Sequence, residues 1–148
     1  MTALKYGEPL FNLKTSTFRS PRTITILDSK LIFSRAAPRV STNTGKFLFT
    51  GDIEETAEKR MLIWQNILKS NVLKVAHHGS ASSSSLEFIN KVDPIIAVIT
   101  VGKNYFGHPS PKIIERLEDN NIKVYRTDEN GTIIIRTDGK EYWVRTLR

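Results

Sequence analysis

Two of the three histidines in this chain are adjacent, and they are the first sign of chemistry in its sequence. His77 and His78 end the run "VLKVA" and are followed by Gly79 and Ser80. The third histidine, His108, lies in "YFGHPSP". Imidazole titrates near neutral pH and is a common metal ligand. Histidines that gather in loops after strands therefore indicate metal binding or proton transfer.

Polar residues that could do chemistry follow each of three predicted strands: Asp52 after "KFLFT" (46–50), the histidine pair after "VLKVA" (72–76), and Lys103, Asn104 and His108 after "IIAVITV" (95–101). If these strands are parallel neighbours, the three loops open at the same carboxyl edge, where open α/β sheets bind their ligands. A carboxylate with several imidazoles suits Zn or Mn. Such a metal generates hydroxide near neutral pH and polarises a phosphoryl oxygen.

Each of these residues also has a structural reading. Asp52 fits a D-x-x-E helix-capping pattern with Glu55. A histidine can hydrogen-bond a backbone carbonyl, although two in succession before Gly-Ser are harder to account for in that way. Lys103 and Asn104 either bind an anionic substrate or are solvated loop residues, and the serines at 82–85 form a flexible loop and helix cap.

Composition describes one globular domain of 148 residues, 39% hydrophobic and 25% charged. The absence of cysteine leaves His, Asp, Glu and water as metal ligands. No apolar stretch approaches the roughly 18 residues of a membrane span, and the amino terminus lacks the apolar core of a secretory signal. We therefore expect a soluble, cytoplasmic chain.

The net charge of +7 is concentrated in the first third of the chain. Residues 1–50 have eight Lys or Arg against two Asp or Glu, whereas residues 51–148 have 14 against 13. The basic segment is either a poorly ordered arm or an arm that steers phosphates by its charge. The histidines belong to the nearly neutral remainder.

The order of predicted elements from residue 46 is β-α-β-α-β-α-β-β-β, which indicates an α/β fold with a mixed sheet and flanking helices. Three helices are predicted, at 51–69, 84–92 and 110–121. The first has an apolar stripe of Ala57, Met61, Trp64 and Leu68. The second is capped by Ser84 with Glu87, and the third has Ser110 at the N-cap followed by Pro111. Strands are predicted at 122–127 and 132–137, joined as a hairpin through Asn130-Gly131, and at 142–147.

Residues 1–45 form a separate, poorly defined basic segment, either edge strands or disordered. Within it, 23–27 and 30–34 are possible strands joined by a turn at Asp28-Ser29, and 35–45 is predicted as a loop. Residues 46–148 form the second, better defined unit.

Four motifs together resemble the carboxyl half of the ComEC-type metallo-β-lactamase domain of DNA-uptake competence proteins. They are "FLFTGDIEETAE", "LKVAHHGSASSSS", "ITVGKNYFGHPSP" and "IKVYRTDENGTIII", in this order, and they span about residues 46–137. The resemblance implies a partial αββα metallo-β-lactamase sandwich, mainly its carboxyl half. It also implies a metal-dependent phosphodiesterase or nuclease that uses one or two divalent metals, Zn or Mn, and takes DNA or another phosphodiester as its substrate.

The resemblance also assigns roles to individual residues. Asp52 matches the carboxylate that bridges the metals, and the histidine pair matches the motif that supplies the last histidine ligand. The implied sites are catalytic Asp52, His78 and His108, metal-binding Asp52, His77 and His78, and substrate-binding Ser80, Lys103, Asn104 and His108. Thr127 and Asp128 match an element near the closing hairpin, for which a structural role is expected.

The sequence departs from this family in one large respect. It contains no H-x-H-x-D-H, the primary metal motif of the fold. We therefore expect a truncated member that binds one metal weakly or none. Loss of the amino half would leave one sheet face uncovered unless residues 1–45, a second copy of the chain or a partner chain completes the sandwich. The alternative function is a non-catalytic remnant or a nucleic-acid-binding module.

Overall fold

The computed structural model describes residues 22–26, 39–42 and 45–148. Its strands are β1 (Arg22–Ile26), β2 (Arg39–Thr42), β3 (Gly45–Phe49), β4 (Val72–Lys74), β5 (Ile96–Ile99), β6 (Lys123–Arg126), β7 (Thr132–Thr137) and β8 (Tyr142–Leu147). Its α-helices are α1 (Glu55–Met61), α2 (Leu86–Val92), α3 (Pro111–Asp119) and α4 (Thr127–Asn130). Two 3₁₀ segments occupy Leu62–Ile67 and Ala76–Gly79.

The described strands form two sheets. The larger sheet has the order β2-β3-β4-β5-β6, in which β3 to β6 are parallel and β2 is antiparallel to β3. The smaller sheet has the order β1-β7-β8 and is antiparallel throughout. From β3 to β6 the strands alternate with helices, as the crossover connections of parallel strands require. The prediction of an α/β fold with a mixed sheet and flanking helices is confirmed.

One core lies between the two sheets. Phe47 and Phe49 of β3 and Val98 of β5 belong to the same buried cluster as Ile133 and Ile135 of β7. The smaller sheet therefore covers the face that the sequence suggested would be left open. The cover comes chiefly from β7 and β8, at the carboxyl end of the chain, with β1 added at one edge.

A second core lies between the larger sheet and the helices. Leu48 and Leu73 of the sheet pack with Met61, Phe88 and other residues of α1 and α2. A neighbouring cluster joins β5 to α3 through Ala97, Ile99, Ile113 and Leu117. The layers of the described chain are thus helices, five-stranded sheet and three-stranded sheet, an arrangement compatible with an α/β sandwich.

The predicted helix at 51–69 is shorter and ends in a tighter turn. The α-helix covers only α1, and a 3₁₀ segment continues it. Because a 3₁₀ helix has 3.0 residues per turn, the apolar stripe loses its register there. Met61 and Leu68 are buried as predicted, but Trp64 is 53% exposed. Asp52 does not cap the helix, whose N-cap is Glu54 without a side-chain hydrogen bond.

The N-cap of α2 is Ser85, one residue later than predicted. Its hydroxyl accepts a hydrogen bond from the amide of Phe88. Ser84 instead has a left-handed backbone, with φ 53°. Ser110 is the N-cap of α3 and Pro111 its first residue, as predicted.

The predicted hairpin between β6 and β7 is wrong, because these strands belong to different sheets. The segment between them is the short helix α4. The Thr127 hydroxyl holds it against the segment that follows β5, accepting from the Val101 amide (2.8 Å) and donating to the Val101 carbonyl (2.7 Å). These long-range bonds fix the position of α4 after β6. The next strand, β7, then belongs to the smaller sheet. The strand at 142–147 forms as predicted and pairs antiparallel with β7.

The basic amino-terminal segment supplies one edge strand to each sheet. The predicted strand at 23–27 corresponds to β1, whereas β2 forms within 35–45, where a loop was expected. The predicted strand at 30–34 and its turn at Asp28-Ser29 lie outside the described residues. The boundary at residue 45 stays a prediction. None of the helices within 45–148 has the length and apolar character needed to cross a membrane.

Candidate functional site

The loops after β3, β4 and β5 meet at one edge of the larger sheet because these strands are parallel neighbours. Two hydrogen bonds join the first two loops. The Thr50 hydroxyl donates to the Lys74 carbonyl (2.6 Å), and the His77 amide donates to the Gly51 carbonyl (3.1 Å). We call the side chains of Asp52, His77, His78 and His108 at this edge the carboxyl-edge cluster.

His78 is oriented by the backbone of the neighbouring strand end. Its Nδ1 lies 2.5 Å from the carbonyl oxygen of Thr100, directly after β5. A carbonyl only accepts hydrogen bonds, so Nδ1 donates, and Nε2 of the neutral ring keeps its lone pair. That Nε2 lies 3.9 Å from Oδ1 of Asp52. A histidine that donates one nitrogen to a carbonyl and presents the other is the usual arrangement of a metal ligand.

His77 is placed differently. Its Nδ1 lies 3.4 Å from Oε1 of Glu54, without the geometry of a hydrogen bond, and this buried nitrogen has no hydrogen-bond partner among the described residues. The ring contacts His108 edge to face, with centroids 5.7 Å apart. Of the adjacent histidines, His78 therefore faces Asp52, and His77 faces Glu54 and His108.

Both histidines have a left-handed backbone, with φ and ψ of 46° and 46° at His77 and 53° and 25° at His78. Such a conformation costs a non-glycine residue about 1–2 kcal/mol. Strain of this kind concentrates at functional sites, where the surroundings impose it. The strained pair therefore agrees with a functional role for this loop.

Gly79 brings the third loop close to the pair. It has φ +80°, and a Cβ at this position would lie 2.7 Å from Cβ of Pro109. Its carbonyl accepts a hydrogen bond from the Ser110 amide (2.9 Å). Only glycine allows this approach, which sets His108 beside His77.

Asn104 organises the loop that follows β5. Its amide nitrogen donates to the carbonyls of Gly102 (2.9 Å) and His108 (2.7 Å). Its side-chain oxygen accepts from the amides of Phe106 (3.0 Å) and His108 (3.1 Å). Both ends of this side chain thus hold the loop together, while the neighbouring Lys103 is exposed. Substrate contact by either residue stays a prediction.

The serines after the histidine pair form a hydrogen-bonded turn. The hydroxyls of Ser80 and Ser82 lie 3.0 Å apart, and the Ser82 hydroxyl donates to Glu54 (3.2 Å). The Ser83 hydroxyl bonds the Ala76 carbonyl (3.0 Å). Ser80 is largely buried, and its role in substrate binding also stays a prediction.

Two residues near the cluster were not singled out from the sequence. Glu54 contacts His77, as described above. Lys74 ends β4 in register with Phe49 and Val98, which face the core between the sheets. Burial lowers the pKa of the Lys74 ammonium group, and the nearby Asp52 carboxylate opposes that shift. A lone lysine within the apolar run "VLKVA" was the signal that could have found it.

The donors of the cluster match part of a metal site. Two ligands of a tetrahedral zinc lie about 3.4 Å apart, since each bond is about 2.1 Å long. The separation of 3.9 Å between Asp52 and His78 is close to that value. Within the described residues, however, no group of three or more His, Asp and Glu side chains is placed to hold a metal ion. Asp52 and His78 are thus two potential ligands, and metal binding by the cluster stays a prediction.

Comparison with known proteins relates the chain to bacterial competence. No protein-family model matches it. It is 41% identical over 99 residues to ComE operon protein 3 of Bacillus subtilis (strain 168), a match that covers 66% of this chain and 13% of that protein. Competence protein ComA of Neisseria gonorrhoeae is 36% identical over 97 residues, 64% of this chain and 14% of that protein.

A further relative, Uncharacterized protein YcaI of Escherichia coli (strain K12), is 32% identical over 113 residues. That match covers 74% of this chain and 15% of that protein. The chain thus spans about one seventh of the length of each of these curated relatives. The expected relation to competence proteins is confirmed.

Proposed function

We propose that this chain is the part of a DNA-uptake competence protein that contributes ligands to the metal site of a metallo-β-lactamase-type hydrolase, a metal-dependent phosphodiesterase or nuclease. The names of its relatives support the competence role. The two-sheet arrangement with helices on one face is compatible with the carboxyl half of such a sandwich.

The observation that carries the proposal is the pairing of His78 with Asp52. The Thr100 carbonyl sets the His78 tautomer, so the free Nε2 lone pair faces a carboxylate at the carboxyl edge of a parallel sheet. A structural histidine would need only the first of these contacts. The approach of His78 Nε2 to the Asp52 carboxylate brings together an imidazole nitrogen and a carboxylate oxygen, two donor types that Zn and Mn accept.

The proposal also assigns roles to His108 of the cluster and to Lys103 in the loop after β5. His108 lies beside His77, with ring centroids 5.7 Å apart, and we assign it proton transfer or substrate contact. The exposed Lys103 supplies a positive charge for a phosphate. A bound divalent metal would activate water and polarise the phosphoryl group. Because the described residues provide only two ligands, we assign no catalytic step through that metal.

A second candidate is a non-catalytic nucleic-acid-binding module. The absence of a third metal ligand among the described residues favours it. The eight Lys and Arg of residues 1–50 would supply phosphate contacts. In that case DNA affinity falls steeply with salt and does not depend on a divalent metal.

Metal titration of the purified chain with Zn and Mn, together with elemental analysis, separates the two candidates. The hydrolase proposal expects about one bound metal, which Asp52→Asn or His78→Ala removes and His77→Ala largely keeps. Nuclease assays with single- and double-stranded DNA in Mn would follow. If the unchanged chain binds no more metal than the His78→Ala variant does, the hydrolase proposal for this chain is contradicted. The nucleic-acid-binding module would then be the remaining candidate.

A further inference from the structure

We propose that Tyr105 and Phe106 form a stacking platform for the unpaired bases of a single-stranded nucleic acid whose backbone passes along the carboxyl-edge cluster. The inference deepens the proposed function. It rests on that function in one respect, namely that the bound strand is the substrate of the carboxyl-edge cluster.

The side chains of Tyr105 and Phe106 are almost entirely exposed to solvent. Tyr105 is fully exposed and Phe106 is 83% exposed, and they are adjacent in the sequence. A buried aromatic side chain removes about 150–250 Å² from water. Leaving two such rings in water forgoes that stabilisation, and adjacent exposed apolar groups mark a binding surface.

The loop that bears these rings is internally braced. The four hydrogen bonds of Asn104 join its backbone from Gly102 to His108, and one of them is accepted from the amide of Phe106 itself. The rings are therefore held on an ordered support. Pre-organisation of this kind reduces the entropy lost when a ligand binds.

The platform is continuous with the carboxyl-edge cluster. The Phe106 ring stacks on His108, with centroids 6.1 Å apart and planes inclined by 28°. His108 in turn contacts His77 at 5.7 Å. A strand whose base lies on Phe106 would thus have its neighbouring phosphate beside the cluster.

The chemistry of the loop points to single strands. Lys103, two residues before Tyr105, is exposed and supplies a cation for the phosphate backbone. Aromatic rings with neighbouring cations are how proteins hold unpaired strands, because every base has a π-face. In a duplex those faces are already covered by the adjacent base pairs. The platform should therefore distinguish single from double strands.

The test measures binding of the full chain to a fluorescein-labelled 12-nucleotide oligo-dT by anisotropy, with a hairpin duplex for comparison. EDTA is present throughout, so the result does not depend on a metal or on cleavage. The test variants are Tyr105→Ala/Phe106→Ala and the conservative Tyr105→Phe. The matched control is Trp143→Ala, which removes another exposed aromatic ring from β8 of the smaller sheet.

The double variant should bind oligo-dT at least tenfold more weakly, since stacking contributes about 1–3 kcal/mol per base. Tyr105→Phe and Trp143→Ala should bind as the unchanged chain does, and the duplex should bind more weakly than oligo-dT. Equal affinities for the double variant and the unchanged chain would overturn the proposal, as would equal affinities for single strand and duplex.

Two further arms complete the experiment. One distinguishes a nucleic-acid strand from a membrane partner, and the other distinguishes failure of the platform proposal from failure of the hydrolase proposal. Phosphatidylglycerol vesicles supply the membrane surface; vesicle binding that requires Tyr105 and Phe106, with oligo-dT binding unaffected, would overturn the proposal. If the unchanged chain binds oligo-dT through the platform but neither binds metal nor cleaves DNA, the platform stands while the hydrolase proposal fails.

Discussion

The carboxylate of Glu58 accepts a hydrogen bond from the backbone amide of Ser84, and through its other oxygen one from the amide of Ser85 (2.9 Å). Glu58 belongs to α1 and is fully buried, whereas the two serines precede α2. A carboxylate at this position also interacts favourably with the amino-terminal end of the α2 dipole. One side chain thus ties α1 to the loop that follows the histidine pair.

Glu58→Gln should therefore destabilise the fold. The amide keeps only one acceptor and directs an NH₂ group at a backbone N–H, which leaves a buried donor unsatisfied. The expected loss is about 1.5–3 kcal/mol in the free energy of unfolding, measured by urea titration. Glu55→Gln, on the same helix but in an exposed ion pair with Lys59, is the control and should change little. Equal effects of the two substitutions would contradict the capping role.

Glycine at either histidine should separate strain from function. His77→Gly relieves about 1–2 kcal/mol of left-handed strain and adds about 0.5–1 kcal/mol of backbone entropy cost. We expect a stability equal to or up to about 1.5 kcal/mol above that of the unchanged chain. Under the hydrolase proposal, His77→Gly retains metal affinity and His78→Gly loses it. The opposite pattern would show that His77 is the ligand.

Gly79→Ala should separate the two loops that meet at the cluster. The added Cβ would lie 2.7 Å from Pro109, at a residue with φ +80°. The expected destabilisation is about 2 kcal/mol or more, measured by thermal unfolding. Gly102→Ala is the control, because a Cβ there meets no atom within 4 Å. The NMR signals of the His108 ring should move only in the Gly79 variant; if they stay in place, the contact with Pro109 does not position His108.

Lys74→Met should stabilise the chain at neutral pH. Burial holds the pKa of Lys74 below its ordinary value of 10.5, so the folded chain binds this proton less tightly than the unfolded chain does. The cost of the buried ammonium group is fully present at low pH and fades as the pH rises through the folded pKa towards 10.5.

The advantage of the Lys74→Met variant should therefore be largest near and below neutral pH and shrink in alkaline solution. Urea titrations at pH 7 and at several alkaline values measure it, with Lys69→Met as the same change at an exposed position. A constant or growing advantage with pH would show that the loss of charge is not its cause.

The sequence by itself determined the order of elements from β3 to β6, the mixed α/β fold and the edge where the polar loops lie. Period-two and period-3.6 patterns are local, so β3, β4, β5, α2 and α3 could be located to within a few residues. Since helical crossovers make neighbouring strands parallel, the common edge for Asp52, His78 and His108 followed from the same patterns.

Only the tertiary structure decided which histidine faces Asp52, because the partner of His78 is a carbonyl 22 residues away, at Thr100. It also decided that β6 and β7 part into two sheets, through the bonds of Thr127 to Val101, and that Glu58 is buried beneath α2. Each of these outcomes depends on a contact between segments distant in the chain. Local propensity carries no information about such a partner, so these contacts are visible only when the chain is folded.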